Sequence, residues 1–343
     1  YEHSADALKV KVNSMSAKKS AKLARDWKKK DLLKQIPTRN GFGEGLVECG
    51  KASKDVYVIS ADLTESTRCQ LFKDSFPERF VQFGVAEQAL AAVASGMALA
   101  GKTVWIASYA AFSPGRNWEQ IKTTGCMQRV NLKIAGAHAG VSVGPDGATH
   151  QMLEDIALMR VPPEMTVIVP ADAIETRKAT IAATKMKGPV YVRFARSASP
   201  VFTTEASPFE IGKAQVLREG NDIALIGCGP IVYECLAAAE ELAKLGIEAR
   251  VINNASVKPM DEKTILAAAK DCGAIVTAEE AQAAGGMGSA VCELLAEHRP
   301  VPVERIGIQD RFGESGEPQE LLEHFGLTSP AIVKAAQKVL KKK

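Results

Sequence analysis

The stretch RFVQFGVAEQALAAVASGMALAGK, residues 79–102, carries the pattern on which the fold turns. VQFGV reads as a buried strand, Gly84 as a corner, and AEQALAAVASGMALA as a helix closed by the stop signal GK. Glu87 therefore falls in the first turn of a helix that follows a strand. A negative charge there complements the helix dipole, which is reason enough for an isolated Glu. The rest of the chain decides whether there is a second reason.

Working outward, the same unit recurs. Strand-like runs stand at VYVIS (56–60), FVQFG (80–84), TVWIAS (103–108), LKIAG (132–136), TVIVP (166–170) and VYVRF (190–194), with helical patterns at 86–100, 150–160 and 172–187. Short β-branched runs alternating with helices imply a parallel sheet covered on both faces. The Ser, Pro and Thr of ARSASPVFTTEASPFEIGKAQ (195–215) then read as a linker. A smaller block follows, with strands at 222–229, 247–253, 274–280 and 303–308 and helices at 231–245, 261–270 and 287–298. The expected fold class is α/β, with two successive open α/β domains, the first larger and mostly parallel. The expected division is a tail and basic leading helix at 1–35, a first domain at 36–196, a linker at 197–215 and a second domain at 216–343.

Composition narrows the function classes. A chain of 343 residues, 46% hydrophobic and 24% charged, suffices for two ordinary cores. The net charge is only +3, and much of the basic excess lies in SAKKSAKLARDWKKKDLLKQ (16–35), which reads as a solvated leading helix rather than a nucleic-acid arm. No apolar run reaches the roughly 18 residues of a membrane span and no signal-peptide pattern heads the chain, so a cytoplasmic protein is expected. The seven cysteines are widely spaced, without a C-x-x-C pair or a His at zinc spacing, and read as buried free thiols. YEHSADALKVKVNS precedes Met15 and is set aside from fold reasoning as a candidate tag remnant.

Open α/β sheets bind ligands at the carboxyl ends of their strands. Directly after strand-like runs come SADLTEST (60–67), GVAEQ (84–88), SYAAFS (108–113), GAHAGVSVGPDGATHQ (136–151) and FARSASP (194–200). They put Asp62, Ser66, Glu87, Phe112, His138, Asp146, His150 and Arg196 on one rim. Each has an ordinary explanation when taken singly. Asp62 and Ser66 suit helix caps, GPDG suits a turn, the histidines suit structural hydrogen bonds, and Arg39 and Arg196 suit surface ion pairs. Their coincidence on one rim favours a binding or catalytic site.

The ordered series TRNGFGEGL, SADLTEST, FGVAEQ, YAAFS, AHAGVSVGPDGATHQ, VRFARS and RFGESGEPQELLEHFGLT strongly resembles the C-terminal half of transketolases over about residues 36–340. The match is nearest to the C-terminal subunit of a split transketolase, a pyrimidine-binding domain followed by a C-terminal domain. The resemblance implies thiamine diphosphate as cofactor. Glu87 would then hydrogen-bond the aminopyrimidine ring nitrogen and favour the tautomer whose exocyclic nitrogen accepts the cofactor's C2 proton. Phe112 would stack on the pyrimidine, with Asp62 and Trp118 as further cofactor contacts, although core packing accounts for Trp118 equally well. Arg39, Ser66, His138 and Arg196 would bind a sugar phosphate, Asp146 would read the C2 hydroxyl, and His150 would lie near the donor's carbonyl or hydroxyl groups. A ketose donor would be cleaved between C2 and C3 and its two-carbon unit passed to an aldose.

The family's GDG and Asn-rich metal-binding segment does not occur in this sequence. The resemblance therefore implies that Mg²⁺ and the diphosphate are held by an N-terminal transketolase subunit, in an α2β2 heterotetramer with self-dimerisation of this chain. The alanines of the Glu87 helix and Gly96 suit a subunit interface or a well-packed helix alike. Two alternatives stand beside this reading. EEAQAAGGMGSAV (279–291) is shared in style with deoxyxylulose phosphate synthase-like and E1β-like enzymes of the same cofactor class. A non-catalytic paralogue is the other, and intact Glu87, His138 and Asp146 argue against it.

Overall fold

The structure, a computed structural model, describes residues 23–343. The first half contains β1 (Gln35–Pro37), α1 (Thr38–Ala52), β2 (Val56–Ser60), α2 (Gln70–Ser75), β3 (Phe80–Gln82), α3 (Glu87–Leu99), β4 (Thr103–Tyr109), β5 (Leu132–Ala137), α4 (Asp155–Arg160), β6 (Thr166–Ile168), α5 (Ala173–Lys185), β7 (Val190–Arg193) and β8 (Ala198–Pro200). The second half continues with β9 (Gln215–Arg218), β10 (Ile223–Gly227), α6 (Val232–Lys244), β11 (Ala249–Asn253), β12 (Ser256–Lys258), α7 (Glu262–Cys272), β13 (Ile275–Gln282), α8 (Met287–His298), β14 (Val303–Ile308), α9 (Pro318–His324) and α10 (Ser329–Leu340). The expected α/β class, with two successive and mostly parallel α/β domains, is the one found, and a two-stranded sheet of β1 and β8 stands beside them.

The first sheet has seven strands in the order β12-β6-β7-β5-β4-β2-β3 and the second has five in the order β14-β13-β10-β11-β9. In the first, every pairing is parallel except that of β12 with β6. In the second, β9 is antiparallel to β11 and the other pairs are parallel. β4 and β5 are buried almost throughout, as strands covered on both faces must be. The second half also supplies β12 to the first sheet, where Ser256 pairs with Ile168. The five-stranded sheet belongs wholly to the second half, whereas the seven-stranded sheet draws on both.

The leading segment differs from expectation. Residues 1–22 of the expected tail and helix lie outside the described residues. From Leu23 onward there is no α-helix before Thr38; Leu23 bridges to Thr203, and a 3-10 turn at Lys30–Leu32 precedes β1. The reason is an unforeseen partner: β1 pairs antiparallel with β8, which lies inside the expected linker. Extended pairing of these short segments displaces the helical pattern of the charges.

α1 was the other surprise, because four glycines (Gly41, Gly43, Gly45 and Gly50) disfavour a helix on propensity. Packing overrides propensity here. A Cβ on Gly41 would lie 1.9 Å from the Ala173 carbonyl oxygen, and one on Gly45 2.8 Å from Thr180 Cβ, so α1 lies backbone-close on α5.

All seven cysteines are free, six of them buried. Burial pushes the Cys69 thiol up to about 12 and the Cys126 thiol up to about 11. Among the described residues no helix is long and apolar enough to cross a membrane.

Candidate active site

The loops at the carboxyl ends of β2, β4, β5 and β7 converge on one rim. Glu87 is the first residue of α3, and its side chain is 1% exposed. Its carboxylate Oε2 accepts from Arg116 Nη1 at 2.6 Å, and Asn117 Nδ2 donates to the Glu87 carbonyl at 3.0 Å. The same Asn117 Nδ2 also reaches Ser113 Oγ, so the turn after β4 is laced to the start of α3.

Phe112 sits in that turn, half-buried. Its ring lies 6.1 Å from the Tyr109 ring in a stacked arrangement and 5.4 Å from the His150 ring edge-on. Tyr109 in turn stacks on His138 at 3.9 Å. These aromatics form one group at the ends of β4 and β5.

His138 directly follows β5 in a left-handed backbone conformation, with φ of 57°. Its Nε2 is 3.4 Å from Arg39 Nη1, and its Nδ1 has no hydrogen-bond partner among the described residues. An arginine can only donate, so the neutral ring accepts at Nε2 and carries its proton on the unpartnered Nδ1. Burial, then Arg39, Arg196 and His150, push the ring down to about 3. A buried donor without a partner, next to polar groups on a rim, suits a ligand oxygen.

The cationic side of the rim is built by α1 and the loop after β7. Thr38 Oγ1 accepts from the Ala195 amide at 2.7 Å, which brings the start of α1 to that loop. Arg39 Nη1 donates to the Ser66 carbonyl at 2.9 Å, while Arg39 Nε is buried without a partner among the described residues. Burial and the neighbouring Arg68 and Arg196 push the Arg39 group below its usual range. Arg196 Nη1 meets the Val143 carbonyl and Asp146 Oδ2, each at 3.2 Å. Such a crowd of cations is relieved by a bound anion.

Two side chains hold the Gly-rich loop that carries Asp146. Gln151 Nε2 donates to the carbonyls of Val141, Gly144 and Glu314. Glu280 of β13 accepts from the Ser142 amide at 2.7 Å. The motifs GPDGATHQ, RFGESG and EEAQ are therefore joined in one place.

Of the residues expected from sequence, Glu87, Phe112, His138, His150, Arg39, Arg196, Asp146 and Ser66 come together in these contacts. Asp62 is exposed, with a φ of 59°, and its amide donates to Gln82 Oε1. Neither Asp62 nor Ser66 caps α2, whose N-cap is Cys69. Trp118 belongs elsewhere: its Nε1 donates to the Leu158 carbonyl at 2.8 Å, and its ring packs on the largest core cluster. With its single donor spent on that carbonyl, it joins none of these contacts. Tyr109, Arg116 and Asn117 were missed. The strand-end rule could have found Tyr109, but no sequence signal ties Arg116 to Glu87. Among the described residues no group of three or more His, Cys, Asp or Glu side chains is arranged to hold a metal ion.

Residues 34–201 match the transketolase pyrimidine binding domain and residues 212–332 the transketolase C-terminal domain. A Methanocaldococcus jannaschii protein named provisionally as a transketolase C-terminal section is 42% identical over 307 residues, covering 89% of this chain and 96% of that one. A 6-deoxy-6-sulfo-D-fructose transketolase subunit of Clostridium sp. is 39% identical, covering 89% and 95%. A solved structure described as a split-gene transketolase, an inactive β4 tetramer, is 44% identical with a TM-score of 0.84, covering 89% and 99%. The chain belongs to the transketolase family, as a subunit of the split kind. Membership implies dependence on thiamine diphosphate and an N-terminal partner subunit.

Proposed function

We propose that this chain is the C-terminal subunit of a thiamine-diphosphate-dependent transketolase that moves a two-carbon ketol unit from a ketose phosphate to an aldose phosphate. The observation that carries this reading is the adjacency, on one rim, of a buried acid with an aromatic face and a cluster of arginines around a histidine with a free Nδ1–H. The first pair suits the aminopyrimidine end of the cofactor and the second suits a sugar phosphate. Bound thiamine diphosphate supplies the carbon nucleophile for the donor's carbonyl.

Glu87 hydrogen-bonds the ring nitrogen in this reading, and Phe112 offers its face. Asp62 is kept as the acidic residue at the end of β2. His138 donates from Nδ1 to a substrate oxygen, Asp146 and His150 read hydroxyls, and Arg39 and Arg196 take the phosphate with charge-assisted bonds, with Ser66 beside them. Mg²⁺ and the diphosphate are held by the N-terminal partner, in an α2β2 assembly with self-association of this chain. The face of α3 with Ala89, Ala92, Val93, Gly96 and Leu99 is exposed and apolar, and is offered as the face a subunit covers. A boundary between the two domains within 197–215 suits the two family matches. Transketolase names among the relatives favour this reading over the deoxyxylulose phosphate synthase-like and E1β-like alternatives.

Glu87→Gln tests it. In the assembled enzyme the substitution is expected to leave folding and most cofactor binding intact while lowering turnover about 10²- to 10⁴-fold, the usual worth of one positioned acid–base group. Near-normal turnover would return Glu87 to its helix-dipole role.

A further inference from the structure

The guanidinium of Arg116 lies on both groups assigned to the pyrimidine. Its Nη1 donates to Glu87 Oε2 at 2.6 Å, and its central carbon stands 4.8 Å from the Phe112 ring centroid. An aminopyrimidine needs the same two things, a hydrogen bond shared between its ring nitrogen and the acid and a flat contact with the aromatic face. A guanidinium is itself planar, delocalised and hydrogen-bonding along its edge, so it imitates that ring. With Oε2 held and Phe112 covered, an entering ring meets Arg116 first.

The arginine can leave. Its side chain is 48% exposed, and among the described residues the contacts of its guanidinium are with Glu87 and Phe112. Glu87, at 1% exposure, cannot be left without a partner cheaply. Arg116 therefore departs when the pyrimidine nitrogen arrives together with a proton taken from solvent, which Glu87 and the ring nitrogen then share in one hydrogen bond.

We propose that Arg116 is an intramolecular stopper of the pyrimidine subsite, seated on Glu87 and Phe112 in the free chain and swung toward solvent when the cofactor ring binds. This rests on the reading that Glu87 and Phe112 receive the aminopyrimidine. An exposed arm of an ion pair is screened by salt, whereas a neutral ring is little affected, so the stopper has a signature in the unmutated protein.

The test is calorimetric titration of the full free chain with 4-amino-5-hydroxymethyl-2-methylpyrimidine, the pyrimidine half of the cofactor, at neutral pH, where the one proton the exchange takes up is still available. If the seated state holds about nine-tenths of the population, Arg116→Met binds the probe about tenfold more tightly than wild type. Wild-type affinity for the probe should rise with added salt while that of the variant stays flat. Equal or weaker binding by the variant, or a flat salt response in wild type, overturns the stopper. If the chain assembled with its N-terminal partner binds the probe and the variant shows no gain, the stopper alone fails. If no form binds the probe, including the assembled one, the cofactor reading fails and takes the stopper with it.

Discussion

His138 is the residue at which most of the site's constraints meet. The backbone there is left-handed, the ring is stacked on Tyr109, and Arg39 fixes which nitrogen carries the proton. Because the native ring does not take a proton until about 3, whereas an unfolded histidine does so near 6.5, the unfolded state binds more protons throughout that window. Stability therefore falls as pH falls through it. His138→Gln should remove a loss of roughly 2 kcal/mol between about pH 7 and pH 5, measured by urea unfolding of both proteins; identical pH slopes would show the ring to be protonated in the fold. The arginines make a different prediction. Arg39→Ala and Arg196→Ala should raise KM for a phosphorylated donor much more than for hydroxypyruvate, since only the former loses a charge-assisted contact. Equal effects on both donors would mean structural arginines. Glu87, Phe112, His138 and Arg196 were legible in the sequence because each follows a strand, and the strand-end rule needs no side-chain geometry. Arg116 was not, because its pairing with Glu87 spans 29 positions and depends on how one turn folds back.

At the scale of elements, α3 and α1 stand for what sequence can and cannot show. α3 has strong helix formers, a glycine corner before it and a stop after it, and its bounds differ from the expected ones by a residue at each end. The strands β2, β4, β5 and β10 were equally plain, as apolar β-branched runs. α1 was hidden because its glycines are chosen by distant elements, Gly41 and Gly45 by α5 and Gly43 and Gly50 by Arg68, Leu71, Phe72 and Phe76 in and around α2. Gly41→Ala should therefore destabilise the chain by about 1–3 kcal/mol or more, as overpacking against a backbone oxygen does. Gly96→Ala, on the open face of α3 with nothing within 4 Å, should leave stability unchanged or raise it by up to about 1 kcal/mol. Thermal or urea unfolding of the pair decides the matter; a harmless Gly41→Ala would mean that the α1–α5 contact is looser than described. β8 was missed for the same reason as α1, since three residues of a Ser- and Pro-containing run become a strand only because β1 lies beside them.

Across the whole molecule, the two halves are locked together at the site. β12 crosses into the first sheet, Arg193 of β7 donates to the Glu280 carbonyl at 2.7 Å, and the Glu280 side chain in turn holds the loop that follows His138. The C-terminal half thus steadies the Gly-rich loop of the rim, a dependence that strand-and-helix patterns do not reveal because it runs through single side chains. The chain supplies a buried acid, an aromatic face and a cluster of arginines around a histidine, while the metal-binding segment of the family does not occur in its sequence. On the proposed function, each active site is completed by a second polypeptide. The direct measurement is transfer from xylulose 5-phosphate to ribose 5-phosphate, with thiamine diphosphate and Mg²⁺ present, by this chain alone and after mixing with its N-terminal partner. No turnover is expected from the chain alone and full turnover from the mixture, saturating at one partner per chain. Sugar-phosphate turnover by the purified chain alone, at the rate of the mixture, would contradict it.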